Sequence, residues 1–216
     1  MKAAVEYFLA GGIVAWPLLG FSIVAIAFII ERCLFWFKVH RRQSRIVREA
    51  LKLYPLKPST AIKLLQQNAD LPMARIFLEA LELDNPNPEE FRLALESAAQ
   101  AEIPTFKRFN NVFETIIALS PLLGLLGTVL GLMTAFSSLR LGDVAGTQAS
   151  GVTGGISEAL ISTVMGLVVA IATLMFANTF RSFYLRQLAL IQEYGGQLEL
   201  LYRRHYEQGK QTYAST

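Results

Sequence analysis

Charge is missing from this sequence in blocks. Residues 8–30, 115–139 and 159–180 contain no Asp, Glu, Lys, Arg or His. A soluble domain has no need of uninterrupted apolar runs above about 20 residues, so these blocks exclude an ordinary soluble fold. Cysteine is nearly absent too. Cys33 stands alone, which excludes an internal disulfide and any C-x-x-C metal or redox motif. There is no nucleophile–base pair, Gly-rich phosphate loop or cluster of metal-ligating side chains, so neither enzyme, cofactor nor metal site is expected. A formal charge of +3 gives no reason to expect a nucleic-acid partner.

What is present is apolar surface: 53% of the 216 residues are hydrophobic, and the mean hydropathy is +0.39. The 115–139 run would make about 37 Å of helix at 1.5 Å per residue, enough for a ~30 Å hydrocarbon core. The first run is too long for the core of a signal peptide. Glu6 precedes it and the charged stretch ERCLFWFKVHRR follows, so it is expected to stay as an uncleaved span. The reading is an all-α integral membrane protein with three transmembrane helices. They are placed at 8–30, 115–137 and 158–180.

Basic residues orient these spans. Arg32, Lys38, Arg41, Arg42, Arg45 and Arg48 follow the first, whereas Lys2 and Glu6 offset each other before it. Lys107 and Arg108 precede the second; Arg181 and Arg186 follow the third; the loop at 138–157 has only Arg140. The positive-inside rule then places residues 1–7 and 138–157 outside, and 31–114 and 181–216 in the cytoplasm.

The first span carries Trp16, Leu19, Ile23, Ile26 and Ile30 along one side, as a lipid-facing helix would, and Pro17 is expected to kink it. Trp36 and Phe37 suit an aromatic belt at its inner end. The cytoplasmic region reads as helices. One covers 41–54, a second is capped by Ser59, and a third starts at Asp70. A fourth starts at Asn87, where a cap residue, a proline and two acids stand in order. From Phe91 to Phe113 apolar residues recur every third or fourth position, so one long helix is expected to feed the second span, kinked at Pro104. The third span keeps its period to about Arg204. Two spans are thus expected to extend far into the cytoplasm.

The second and third spans are poor lipid-facing material. Gly124, Thr128, Gly131 and Ala135 share one face of the second; Ala159, Thr163, Gly166, Ala170, Thr173 and Ala177 share one face of the third. Small faces let helices approach where lipid gives no hydrophobic drive. They should pack on each other, on copies of the chain or on a further helix, so a homo-oligomer is expected. The hydroxyls of Thr128 and Thr163 have two readings: bonded back to a carbonyl one turn earlier, or lining a hydrated path for a proton. Glu158 likewise reads as a first-turn acid favoured by the helix dipole, or as a carboxylate at the outer mouth of that path. Ser120 is positioned to satisfy a carbonyl freed by Pro121. Between Thr115 and Leu139, and between Ala159 and Phe180, there is no ionisable group, although proton relays across membranes normally include one. A conducting path would need it from a partner helix.

SPLLGLLGTVLGLMTAF (120–136) and GGISEALISTVMGLVVAI (154–171) resemble the two signature spans of the MotA/TolQ/ExbB proton channel family, and GGIVAWPLLGFSIVAIAFIIER (11–32) resembles the first span of its ExbB branch. The resemblance covers all three spans; in the 40–110 region it extends only to helical character. It implies a pentamer in the bacterial inner membrane surrounding an ExbD/TolR-like single-span partner that supplies an aspartate. Proton flow would then drive a TonB- or TolA-like protein. By motif position Thr128 and Thr163 become pore threonines and Glu158 the acid opening the third span. The departure from the family pattern is at Ala172 and Thr173, where a proline is common. The rival readings are a non-conducting membrane scaffold, a TolQ-like role in envelope maintenance, and a solute carrier. The last lacks the expected inverted repeat.

Overall fold

The computed structural model describes residues 8, 10–138 and 145–214, with side chains in the last segment described for 151–208. Among these residues no strand occurs. The helices are α1 (Ala15–Leu53), α2 (Pro58–Gln66), α3 (Pro72–Leu81), α4 (Pro88–Phe106), α5 (Asn110–Ser137) and α6 (Ala145–Ala214). Three stretches, in α1, α5 and α6, are long and apolar enough to cross a membrane. Lys2, Glu6 and Arg140, which entered the topology argument, lie outside the described residues. The chain forms two compact units. One comprises Met1–Glu31 and Phe109–Thr179, the other Arg32–Arg108 and Phe180–Thr216.

In the first unit the opening apolar run is not one helix. Residues 11–14 form a turn in which Gly12 takes φ +65°, and α1 starts at Ala15. Pro17 therefore falls in the first helical turn, where its missing N–H is one that no helical carbonyl would accept, and it needs no kink. Trp16 likewise lies at the helix end rather than deep in a span, 64% exposed and edge-on to Phe8. Leu19, Ile23, Ile26 and Ile30 are exposed, as the outer-helix reading requires. Helix α6 begins at Ala145, well before the expected start of the third span, and runs unbroken through Ala172 and Thr173.

The second unit corrects several helix boundaries. No separate helix starts at Arg41, because α1 continues to Leu53. Pro58 and Pro72 open α2 and α3, whose cap positions are Lys57 and Leu71 without side-chain caps. Ser59 is thus not a cap, and Asp70 instead pairs with Lys38 at 2.7 Å and Arg42 at 3.0 Å. The Lys38 ammonium, foremost, holds the Asp70 carboxyl below its ordinary range. Asn87 caps α4 as expected, in a capping box with Glu90 and Pro88 inside the first turn. The helix from Asn87 does not feed the second span unbroken. It ends at Phe106, and Phe109 adopts a left-handed φ of +68° before α5 begins. Pro104 removes one helical donor, and a bulky residue at positive φ cannot continue a right-handed helix. The two helices that run beyond their apolar spans without a break are therefore α1 and α6.

The second unit has an aromatic core. Phe91 stacks on Tyr202 with centroids 4.0 Å apart, and Tyr202 donates to the Pro86 carbonyl at 2.6 Å. Trp36 is buried between Phe106 and Phe183 rather than placed in an interfacial belt, while Phe37 is exposed. Gln43 Nε2 donates to Gln187 Oε1 at 2.6 Å, a buried pair joining α1 to α6. Burial, followed by Tyr202, pushes the Tyr54 phenol up to about 12.

Candidate functional site

The site lies in the first unit, where α5 and α6 meet through backbone. Phe113, Ile116, Ser120, Gly124, Gly127, Gly131 and Ala135 form the buried face of α5, with a spacing of three or four residues. Opposite them on α6, Gly155, Ala159, Ser162, Gly166, Ala170 and Thr173 are buried. The approach is too close for larger side chains. A Cβ placed on Gly131 would lie 2.7 Å from the Ala159 nitrogen and the Gly155 oxygen; one on Gly155 would lie 2.6 Å from the Ala135 nitrogen. A Cβ on Gly124 would lie 3.1 Å from the Ser162 carbonyl oxygen and the Thr163 Cα. A Cβ on Gly166 would collide with the Ser120 carbonyl oxygen. Small residues on both helices therefore act together, because neither helix could approach if only one were small. The two faces are spent on each other within one chain. They give no independent reason for self-association, and that part of the sequence argument for an oligomer falls away.

Polar groups follow this seam. Thr163 Oγ1 lies 3.2 Å from the Gly124 carbonyl of α5 and 3.3 Å from the Ala159 carbonyl of its own helix, and its hydroxyl is shared between them. Ser162 is wholly buried and donates to Ala159 O at 2.9 Å. Thr128, half-buried, donates back to the Leu125 carbonyl. Thr173 is buried and donates to Val169 O at 2.8 Å. Thr163 is thus a bridge between helices as well as a locally bonded residue, whereas Thr128 bonds within its own turn. The structure gathers Gly124, Gly131, Ala135, Thr163, Gly166 and Ala170 at one seam, with Thr128 at its border.

Glu158 has another neighbourhood. It stands well inside α6, not in the first turn, so the helix-dipole account of it does not apply. Its half-buried side chain covers Gly12, whose absent Cβ would collide with the carboxylate. Gly12 is required twice here, by its positive φ and by this contact.

Sequence reasoning missed Ser162, whose neighbours conceal it, and assigned Ser120 a bond it does not make. Ser120 Oγ is fully buried without a hydrogen-bond partner. Arg32, expected as one of the topology signals, also has a partner that its position in the sequence did not reveal. Arg32 is 2% exposed, donates to the Thr105 carbonyl at 3.0 Å near the end of α4 and lies over the Phe35 ring. A cation at a helix C-terminus is favoured by the exposed carbonyls there.

The sequence of the chain is similar to those of known proteins. The profile of the MotA/TolQ/ExbB proton channel family matches residues 68–193. A putative biopolymer transport protein, ExbB-like 3, of Synechocystis sp. is 68% identical over 200 residues, covering 93% of this chain and 95% of that one. ExbB-like 1 of the same organism is 38% identical over 199 residues, 92% of this chain and 78% of that one. The Tol-Pal system protein TolQ of Haemophilus influenzae is 38% identical over 102 residues, 47% of this chain and 42% of that one. A seam of small residues and hydroxyls in charge-free spans thus accompanies close likeness to these transport subunits, and the chain belongs to the MotA/TolQ/ExbB proton channel family.

Proposed function

We propose that this chain is the proton-conducting subunit of an ExbB/ExbD-type complex in the bacterial inner membrane, coupling proton-motive force to TonB-dependent transport across the outer membrane. The observation that carries the reading is the line of hydroxyls at Ser162, Thr163 and Thr128 along an α5–α6 seam that has no ionisable side chain. Hydroxyls can pass or hold a proton but do not titrate near neutral pH, so an aspartate from an ExbD/TolR-like single-span partner completes the path. The chain would form a homopentamer around that partner, with its N-terminus and Glu158 on the periplasmic side and its C-terminus in the cytoplasm. Each proton falling through roughly 150–200 mV releases on the order of 3–5 kcal/mol. That energy is enough to rock helices held by small-residue contacts and too little to unfold them.

The test is proton flux into liposomes containing the purified chain, with and without a single-span protein whose one N-terminal span contains an aspartate. Flux should require both proteins. Thr128→Val and Thr163→Val should assemble with the partner yet lose coupled flux. Wild-type flux in both variants removes the pore role, and a complex that assembles but never conducts makes the chain a scaffold. A second reading, TolQ-like envelope maintenance through a TolA-like partner, draws on the TolQ likeness. Rescue of a strain lacking TolQ, but not of one lacking ExbB, selects it.

A further inference from the structure

Ser120 poses a problem that the proton path as described leaves unsolved. Most hydroxyls on α5 and α6 bond to a carbonyl one turn earlier, as Thr115 does to Asn111, Thr134 to Leu130 and Thr179 to Met175. Ser120 has 0% exposure and its Oγ bonds to nothing. A hydroxyl without a partner inside an apolar span costs several kcal/mol. A second unmet group lies beside it on the same helix. Pro121 has no N–H, so the Ile117 carbonyl, four residues earlier, has no helical donor. A donor and an acceptor are thus left open within one turn, the donor on the buried face where Gly166 comes against the Ser120 carbonyl and the acceptor on half-buried Ile117 beside it.

From this geometry we infer that the Ser120 hydroxyl and the Ile117 carbonyl hold one water molecule inside the α5–α6 bundle. Water is the ligand of the right chemistry. It accepts from Ser120, donates to Ile117, and commonly enters a helical ladder where proline interrupts it. The position gives the water a role that rests on the proton-path reading. Gly124, whose carbonyl receives Thr163, is one turn from Ser120, and Thr128 is one turn beyond Gly124. Ser120 therefore adds a step nearer the N-terminal end of α5 than Gly124 and Thr128. It is a positioning residue for a hydrated path.

The experiment uses the full chain with its single-span partner in lipid bilayers. Solid-state NMR measures magnetisation transfer from water to the Ile117 carbonyl carbon, while liposomes measure proton flux. Transfer should be strong in the wild type and in Ser120→Thr, which keeps the hydroxyl, and lost in Ser120→Ala. The same Ser120→Ala protein, at unchanged oligomer mass, should conduct about tenfold less, one decade in rate. Absent transfer in the wild type, as with a direct Ser120–Ile117 bond, overturns the water site, and so does undiminished transfer in Ser120→Ala. Lost transfer with wild-type flux overturns the role in conduction. If wild-type protein carries no flux at all, the proton-channel reading fails by itself, and the transfer measurement still decides the water.

Discussion

The two units of this chain solve the same packing problem with opposite materials. In the first, α5 and α6 touch through glycine, alanine and serine at backbone distance, and nearly every described hydroxyl turns back to its own helix. In the second, helices are separated by rings and joined by polar bridges: Phe91 on Tyr202, Trp36 between two phenylalanines, Gln43 to Gln187, Arg75 to Glu102. The difference follows from the solvent that each unit competes with. Beside acyl chains a large apolar side chain gains little by burial, and close approach supplies the attraction instead. Beside water, burying an aromatic ring removes much surface from solvent, and ring pairs add to that gain.

The contrast can be broken most severely at Gly131. Gly131→Leu would force its Cβ against the Gly155 carbonyl, which is backbone and cannot rotate away. A loss of about 5 kcal/mol or more is expected, read as failure to give a monodisperse protein in detergent. In the other unit the matching lesion is a deletion. Phe91→Ala removes the ring stacked on Tyr202 and should cost about 3–5 kcal/mol, with the melting temperature in detergent falling accordingly. Enlarging is thus the damaging change in one unit and shrinking in the other; equal tolerance of both lesions would dissolve the contrast.

The buried glutamine pair sharpens it. Gln43→Leu leaves Gln187 without its donor and the Met73 N–H without the Gln43 Oε1 it reaches at 3.4 Å, and should cost about 1–3 kcal/mol, whereas Gln43→Leu with Gln187→Leu should recover only the share that belongs to Gln187. A double variant as weak as the single one would mean that the Met73 contact, not the amide pair, carries the cost. The smallest effect belongs to Asp70. Its carboxyl is held low by Lys38, so its contribution is present above the ordinary carboxylate range of about 4 and is lost as pH falls through the lowered value. Asp70→Asn should flatten that acid limb and cost no more than about 1 kcal/mol near neutral pH, because the pair is well exposed.

Much of this was legible in residue order. Asn87-Pro88-Glu89-Glu90 announced its helix because cap, proline and acids are local chemistry, and the structure has the capping box there. The small faces were legible because spacing alone puts residues on one side of a helix. Their partner was not, since spacing is silent on whether a glycine meets its own chain or another. Helix continuity was also illegible. Gly12 and Phe109 turn to positive φ, and nothing local forbids a helix through either. Arg32 could be read only as one cation among several until the Thr105 carbonyl lay beside it.

By itself, then, the order of residues determined three membrane-length segments, the small-residue stripes and the lack of any Asp, Glu, Lys, Arg or His at 115–139 and 159–180, because length, size and charge need no neighbour to define them. Tertiary structure alone decided that the two stripes face each other, that Thr163 bridges to Gly124, that Glu158 rests on Gly12, and that Ser120 is left without a partner. Each of these is a distance between residues far apart in the chain or a bond left unmade, and such quantities exist only once the helices have met.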